Sequence, residues 1–288
     1  MDAVLFVGLG NMGGPMLARA KEAGFSVRGA DPAQQARDGA ADAGITVGAD
    51  PRGLLEGVGT VVLMLPSSSV VERVLLADGL AALLPAGTVV VDMSSSDPVR
   101  TRALAATLAD FGLRLVDAPV SGGVKGAIDG TLTIMAGGEV EDVTAVSPLL
   151  LSMGSVIRTG PIGSGHALKA LNNLLSAVSL LASSEALQVG RRFGLSDDVM
   201  LEVINASSGR SFSTQYKWPT FVVPETYNSG FSLALLVKDM RTAVALAQEV
   251  GLSARLGESA LGLLEHAAAL LDDGADHTEI ARFASIEH

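Results

Sequence analysis

Ala3-Val-Leu-Phe-Val-Gly-Leu-Gly-Asn-Met-Gly13 is the stretch that decides the fold of this chain. Its apolar first half predicts a buried strand, and three glycines follow that strand at once. Gly8 permits a tight turn, Gly10 lets a phosphate approach the backbone, and Gly13 lets the next helix pack closely on the strand. The helix predicted from Met12 to about Ala23 would direct its first N–H groups at that phosphate. The stretch therefore predicts a dinucleotide-binding unit.

An acidic residue follows this unit at the expected distance. Phe25 to Ala30 predicts a second strand, and Asp31 comes about 20 residues after the glycines, where a carboxylate can accept both ribose hydroxyls of NAD. We therefore predict NAD as the cofactor, bound by Gly8, Leu9, Gly10, Asn11, Met12, Gly13 and Asp31. NADP stays possible, because Arg28 and Arg37 are near enough in sequence to reach a 2′-phosphate. The alternative to dinucleotide binding is that Gly8 to Gly13 form a glycine-rich turn in some other α/β domain.

Strands and helices continue to alternate through the first half of the chain. Strands are predicted at residues 45–47, 60–65, 88–92 and 113–116, and helices at residues 51–57, 70–76 and 99–110. This alternation predicts an α/β fold with a Rossmann-type, doubly wound parallel sheet, which binds ligands outside the carboxyl ends of its strands. Hydroxyl residues gather at those ends, and for Ser94 and Ser96 a helix N-cap is the expected role.

The last part of this first domain contains a second glycine-rich segment. Ser121-Gly-Gly123 follows a proline and predicts a turn whose N–H groups could hold a carboxylate. Gly130 to Gly138 then predicts a strand, Glu141 to Ser152 a helix, and a last strand lies near Val156.

Long helices replace the alternating pattern after Gly163. They are predicted at residues 165–193, 197–206, 233–250, 254–272 and 278–286, and Gly194 ends the first. We therefore predict two domains, a Rossmann-type NAD(P)-binding domain at residues 1–161 and an all-α domain at residues 162–288, joined by the long helix.

Two polar residues stand out on that long helix. Lys169 and Asn173 are four residues apart and share one face, which also carries Ser176. An ammonium can give or take a proton at a substrate oxygen, and a neighbouring carboxamide can hold the substrate by hydrogen bonds. The alternative is that Lys169 extends to solvent from a helix surface and Asn173 has no role.

Composition limits the partners. The 288 residues carry a net charge of -11, which argues against nucleic acid and against an anionic membrane surface. There is no cysteine and no HExxH pair, so no metal site is predicted. The longest apolar runs are too short to span a bilayer, and the N-terminus has no signal-peptide pattern. We expect a cytoplasmic protein whose partner is a small molecule.

Four blocks of sequence resemble the β-hydroxyacid dehydrogenase family, which includes 3-hydroxyisobutyrate dehydrogenase, tartronate semialdehyde reductase and L-threonate dehydrogenase. The blocks are Gly8 to Met16, Asp117 to Ala127 with Gly130 to Met135, Gly163 to Asn173, and Lys238-Asp-Met240. They span nearly the whole chain in the family's order. The segments Asn205 to Arg210 and Gly230-Phe231 are most similar to 3-hydroxyisobutyrate dehydrogenases.

The resemblance implies a role for particular residues. Lys169 would be the catalytic acid and base, while Ser121, Gly122, Gly123 and Asn173 would hold the substrate. Leu65, Pro66, Ser95 and Lys238 would contact the cofactor. Two positions depart from the family's pattern. Phe212 stands where 3-hydroxyisobutyrate enzymes often have tryptophan. Pro32 follows Asp31 directly, whereas the family usually has further residues between the acid of the second strand and a proline. These departures leave the substrate side chain and the choice between NAD and NADP open.

The expected reaction is hydride exchange between the nicotinamide and a small β-hydroxy acid or aldehyde acid, with Lys169 exchanging the proton and no metal required. Three alternatives remain. They are an imine reductase, a 6-phosphogluconate-dehydrogenase-like enzyme and a non-catalytic NAD-binding protein on the same fold. The long helix and the apolar second domain favour a homodimer or homotetramer.

Overall fold

The structure is a computed structural model that describes residues 2–283. The chain divides into two compact units, and the division falls between Lys169 and Ala170. The first unit contains the sheet and its flanking helices, and the second contains helices.

The sheet of the first unit has a parallel part and a mixed part. Its strands are β1 (Ala3–Val7), β2 (Val27–Ala30), β3 (Thr46–Gly48), β4 (Val58–Leu63), β5 (Val89–Asp92), β6 (Arg114–Asp117), β7 (Val120–Ser121), β8 (Leu132–Gly137) and β9 (Gly154–Gly160). Their order is β3-β2-β1-β4-β5-β6-β8-β7, and β9 pairs with β8. The order 3-2-1-4-5-6 reverses at β1, as in a doubly wound sheet. The predicted fold class is confirmed.

The far edge of the sheet is not parallel. β8 pairs antiparallel with both β6 and β7, while β9 returns parallel to β8. The chain between β7 and β8 is shorter than the dozen or more residues that a parallel crossover usually needs, so β8 runs back along its neighbours.

Helices flank the sheet. They are α1 (Gly13–Glu22), α2 (Gln34–Asp42), α3 (Ser68–Glu72), α4 (Leu80–Leu83), α5 (Pro98–Asp110), α6 (Gly123–Asp129) and α7 (Val140–Leu151). The helix predicted at residues 51–57 is a 3-10 helix, Pro51–Leu54, and α3 continues as a π-helix, Arg73–Ala77. The short helices α4 and α6 were not predicted. α6 starts inside the glycine pair that indicated only a turn.

Both faces of the sheet are buried. Val4 and Phe6 of β1 belong to one apolar cluster, and Ala3, Leu5 and Val7 belong to the other, because successive side chains of a strand point to opposite faces. A sheet covered on both sides needs continuous apolar strands, which explains the unbroken apolar run at the start of the chain.

The second unit is helical. α8 (Ser164–Phe193) begins in the first unit and continues into the second. It is followed by α9 (Asp197–Ala206), a π-helix (Ser213–Val222), α10 (Leu233–Glu249), α11 (Arg255–Leu270), a 3-10 helix (His277–Glu279) and α12 (Ile280–Phe283). Gly194 has a φ of +98° directly after α8, as expected of a helix-ending glycine.

Two differences from the predicted helices have simple causes. The π-helix was not predicted because Pro219 lies inside it, and proline disfavours an α-helix. The helix predicted at residues 278–286 begins as a 3-10 helix, and its last three residues lie outside the described part of the chain.

Within residues 2–283, no helix combines the length and apolarity needed to cross a membrane. The same residues contain no group of three or more His, Asp or Glu side chains arranged to hold a metal ion.

Candidate active site

The three glycines after β1 meet three different geometric demands. Gly8 has a φ of +95°, and a Cβ there would overlap the carbonyl oxygen of Met64. A Cβ on Gly13 would overlap the carbonyl oxygen of Gly8, so the close approach of α1 to the end of β1 requires glycine. A Cβ on Gly10 would meet no atom within 4 Å. The space beside Gly10 is therefore open for a ligand.

Asp31 is tied to this loop by hydrogen bonds. Its Oδ2 accepts the backbone N–H of Leu9 at 2.8 Å, and its Oδ1 accepts that of Ala33 at 2.8 Å. A carboxylate has about four acceptor positions, so Asp31 can still accept hydroxyl groups. Arg37 Nη1 donates to the carbonyl oxygens of Asp31 and Pro32 at 2.6 and 2.8 Å. The guanidinium of Arg37 is thus hydrogen-bonded to the backbone beside Asp31.

A cleft of 640 Å³ opens between the glycine loop and α2 in the first unit. Its lining includes Leu9, Gly10, Asn11, Ala33 and Gln35, and the described residues that line it carry no charge. A cleft of this size and uncharged lining suits a mostly apolar ligand part such as a nucleoside. Met12 is half-buried at the start of α1.

Hydroxyl residues at the end of β5 do not cap the following helix. Ser94 Oγ accepts the backbone N–H of Leu65 at 2.9 Å, and Ser96 Oγ donates to Asp92 Oδ2 at 2.7 Å. The N-cap of α5 is Asp97, whose Oδ1 accepts the N–H groups of residues 99 and 100 at 2.8 and 3.1 Å. The predicted cap role of Ser94 and Ser96 is therefore wrong. The hydroxyls of Ser94 and Ser96 are hydrogen-bonded to Leu65 and Asp92 instead. Asp97 stands directly before the proline at the first helical position and therefore provides the cap.

The other residues expected at the strand ends lie where the sheet places them. Pro66 is exposed just after β4, and Ser95 is half-buried just after β5. Ser121 ends β7 and is half-buried, and Gly122 and Gly123 are exposed with φ values of +130° and +65°. A Cβ on Gly123 would meet no atom within 4 Å, so this turn faces open space at the start of α6.

Asp117 fixes the start of the helix that carries Lys169. It ends β6, is fully buried, and accepts the backbone N–H groups of Gly163 at 2.7 Å and His166 at 2.8 Å. A carboxylate at a helix N-terminus satisfies N–H groups that lack an intrahelical partner and interacts favourably with the helix dipole. Lys169 follows His166 by about one turn of α8. Its backbone position is therefore set by the sheet.

Asn173 has a charged partner that the sequence did not indicate. Its Nδ2 donates to Asp239 Oδ2 at 2.6 Å, and both residues are buried in the second unit. Lys238 Nζ lies 3.2 Å from Asp239 Oδ1. The amide of Asn173 is thus oriented, and its Oδ1 also accepts a hydrogen bond from Asn172 Nδ2 at 3.3 Å. The only signal in the sequence was the position of Asp239 inside the Lys238-Asp-Met240 block.

Comparison with known proteins gives the family. Residues 3–163 match the family described as the NAD binding domain of 6-phosphogluconate dehydrogenase. Residues 163–284 match the family described as NAD-binding of NADP-dependent 3-hydroxyisobutyrate dehydrogenase. Together with the glycine loop, the sheet order and the helical second unit, these matches define an oxidoreductase with a nicotinamide dinucleotide cofactor.

Individual relatives indicate which family of oxidoreductases the chain resembles. The chain is 36% identical to an NAD-dependent L-serine dehydrogenase of Pseudomonas aeruginosa, over 91% of each protein. It is also 36% identical to a 3-hydroxyisobutyrate dehydrogenase of the same organism, over 98% of each. A solved 3-hydroxyisobutyrate dehydrogenase of Mycobacterium tuberculosis with L-serine has a TM-score of 0.92 at 33% identity, covering 99% of this chain and 100% of that one. The chain belongs to the β-hydroxyacid dehydrogenase family.

Proposed function

We propose that this protein interconverts a small β-hydroxy acid and the corresponding aldehyde acid, with NAD as its preferred cofactor and Lys169 as general acid and base. The observation that carries this proposal is the anchoring of α8. Asp117 holds its N-terminus, and Lys169 and Asn173 follow on one helical face. Asn173 is in turn oriented by Asp239. Fixed orientation of the groups that hold and protonate a substrate is what such catalysis requires.

The residues present fit the cofactor. The open space at Gly10, the overlaps that exclude side chains at Gly8 and Gly13, and the adjacent uncharged cleft suit a dinucleotide. Gly8, Leu9, Gly10, Asn11, Met12, Gly13 and Asp31 would hold its adenosine and pyrophosphate parts, and Leu65, Pro66, Ser95 and Lys238 would contact the remainder. When bound, the nicotinamide supplies or accepts the hydride.

The chain's own residues would handle the substrate and the proton. Ser121, Gly122 and Gly123 would bind the substrate carboxylate through hydroxyl and N–H groups. In the reducing direction, the Lys169 ammonium would donate a proton to the substrate oxygen as negative charge develops there. In the oxidising direction a neutral Lys169 would take the alcohol proton. Asn173 would hold that oxygen in place by a hydrogen bond.

The proposed substrates are small β-hydroxy acids of more than one kind. Relatives of similar identity are named for L-serine and for 3-hydroxyisobutyrate. Phe212, where 3-hydroxyisobutyrate enzymes often have tryptophan, is 64% exposed. We therefore propose the class of small β-hydroxy acids as a whole, including 3-hydroxyisobutyrate, L-serine and the acid formed by reducing tartronate semialdehyde.

A direct assay tests the proposal. The purified protein would be mixed with NAD or NADP and a panel of β-hydroxy acids, and with NADH or NADPH and the corresponding aldehyde acids. We expect turnover with at least one β-hydroxy acid. An imine or 6-phosphogluconate turned over in preference to every hydroxy acid would overturn the proposal. Cofactor binding without turnover of any compound would indicate a non-catalytic NAD-binding protein.

The second unit also motivates a proposal about assembly. Val189, Phe193, Val199, Val203 and Phe212 are large apolar side chains that are each more than half exposed. Exposed apolar surface on helices is typical of protein–protein interfaces. We propose a homodimer or homotetramer. Light scattering coupled to size-exclusion chromatography tests it, and a monomer at micromolar concentration would contradict it.

A further inference from the structure

Lys217 is a buried lysine that none of the family-like sequence blocks contains. It lies in the π-helix Ser213–Val222 of the second unit and is 6% exposed. Its Nζ donates a hydrogen bond to Ser176 Oγ at 2.8 Å. Ser176 belongs to α8 and follows Asn173 by three residues. Lys217 therefore meets α8 on the face that carries Asn173 and, one turn earlier, Lys169.

Among the described residues, the ammonium of Lys217 forms no direct ion pair with a carboxylate. An ammonium has three N–H donors, and within residues 2–283 Ser176 Oγ is the one acceptor that it reaches. The negative charge that acts on it is that of Asp276, which makes no hydrogen bond to its Nζ. A buried ammonium with no counter-ion is costly, and so is a buried N–H group with no acceptor.

The nearest charged groups do not remove this cost. Asp276 attracts Lys217, but its carboxylate oxygens are held by Ser229, Gly230 and Thr278 at 2.6–3.0 Å. Burial lowers the pKa of His277, the other titratable group that faces Lys217, so its imidazole is neutral at pH 7 and does not balance the charge of Lys217. Burial lowers the pKa of Lys217 itself to about 8, against a smaller opposing effect of Asp276. Lys217 thus remains mostly charged at neutral pH.

We propose that the Lys217 ammonium forms an ion pair with the carboxylate of the hydroxy-acid substrate and thereby selects acids over uncharged analogues. The inference rests on the proposed function and adds a specificity-determining residue to it. An incoming carboxylate would supply the acceptors and the negative charge that the buried ammonium lacks, and its remaining acceptor positions would still serve the groups proposed at Ser121, Gly122 and Gly123. It would also lie beside Asn173, the residue proposed to hold the reacting end of the same small molecule.

Substitution of Lys217 tests the ion pair. Lys217→Met removes the charge and keeps an unbranched side chain, whereas Lys217→Arg keeps the charge. The substrates are 3-hydroxyisobutyrate and its uncharged amide. We expect Lys217→Met to lower kcat/KM for the acid by at least about tenfold, with the amide nearly unchanged, and Lys217→Arg to retain most of the preference. Arg255→Met, which removes an exposed cation from the same unit, is the matched control.

A second measurement uses the wild-type protein and does not depend on a variant folding. Lys217 is charged below its pKa and neutral above it, so the acid-to-amide ratio of kcat/KM should fall as pH rises through about 8. Effects of pH on Lys169 act on both substrates and cancel in the ratio. A ratio that stays constant from about pH 6.5 to about 9.5 would overturn the inference. Equal losses for acid and amide in Lys217→Met would do so too.

Two further outcomes separate this inference from the proposed function. If Lys217→Met raises KM for NADH and leaves the acid-to-amide ratio unchanged, Lys217 serves the cofactor and the inference fails alone. If the protein turns over no hydroxy acid, calorimetry can still measure whether it binds 3-hydroxyisobutyrate. Binding that is lost in Lys217→Met, without turnover of any hydroxy acid, would support the ion pair and overturn the proposed function. No binding by the wild type would overturn the ion pair.

Discussion

Asp117 Oδ2 accepts the backbone N–H of His166 at 2.8 Å, which ties the end of a sheet strand to the first turn of the helix that carries Lys169. The two residues are 49 positions apart in the chain, and both are buried. The same carboxylate also accepts the N–H of Gly163. One aspartate therefore sets the backbone position of the proposed catalytic residue.

We expect Asp117→Ala to reduce both stability and activity. The variant would leave two buried N–H groups without their charged acceptor, which should lower the free energy of unfolding by roughly 3 kcal/mol. Because the start of α8 would lose its anchor, kcat should fall more than NADH affinity. Urea unfolding and steady-state kinetics measure these effects, with the exposed Asp110→Ala as control. Normal kcat in a destabilised variant would show that the anchor serves folding alone.

Lys169→Ala should lower kcat by at least about a hundredfold, since general acid–base catalysis usually contributes that much. NADH affinity, measured by fluorescence titration, should stay nearly unchanged because the cleft beside the glycine loop does not include Lys169. Lys21→Ala removes a lysine from the end of α1 and should behave like the wild type. Near-normal turnover of Lys169→Ala at neutral pH would show that another group exchanges the proton.

The wild-type protein should prefer NADH to NADPH, because a 2′-phosphate beside Asp31 would meet like charge. The repulsion in a partly buried site is worth about a few kcal/mol. Asp31→Ser should narrow the difference in kcat/KM between the two cofactors. It should also raise KM for NADH, since the tether to Leu9 N–H is weakened. Asp38→Ser on the exposed side of α2 is the control. A wild-type preference for NADPH would remove the role given to Asp31.

Asp276 should make the stability of the protein depend on pH. Burial alone would raise its pKa, but hydrogen bonds from His277, Thr278 and Ser229 outweigh burial and hold the pKa well below the ordinary 3.8. A carboxyl group with a lowered pKa in the folded state stabilises it above the ordinary value, and this contribution is lost as pH falls through the folded-state value. Asp276→Asn should therefore cost about 2 kcal/mol of unfolding free energy at neutral pH.

The difference between wild type and Asp276→Asn should shrink once the pH falls below about 4. Urea unfolding at neutral and acidic pH measures it, and Asp273→Asn, an exposed neighbour, provides the control. A stability difference that is the same at both pH values would mean that the charge of Asp276 contributes nothing.

Local spacing was enough to predict much of the molecule. The apolar run Ala3–Val7 matches the first strand at both ends. The predicted start of α8, residue 165, is one residue after the observed start, and its predicted end matches the observed end. An apolar run closed by glycines, or a long run of helix formers ended by Gly194, restricts the backbone through neighbouring residues alone. For the same reason the four-residue spacing of Lys169 and Asn173 already placed them on one helical face.

The partners of the site residues depended on the tertiary structure. Asn173 meets Asp239 across 66 positions, and Lys217 meets Ser176 across 41. The reversal of β8 against β6 and the use of Asp97 as the cap of α5 likewise depended on competing contacts. Sequence spacing determines which face of an element a side chain occupies. Which elements then face each other is decided by how the apolar surfaces pack, because a polar group once buried must find its partner among whatever that packing brings near.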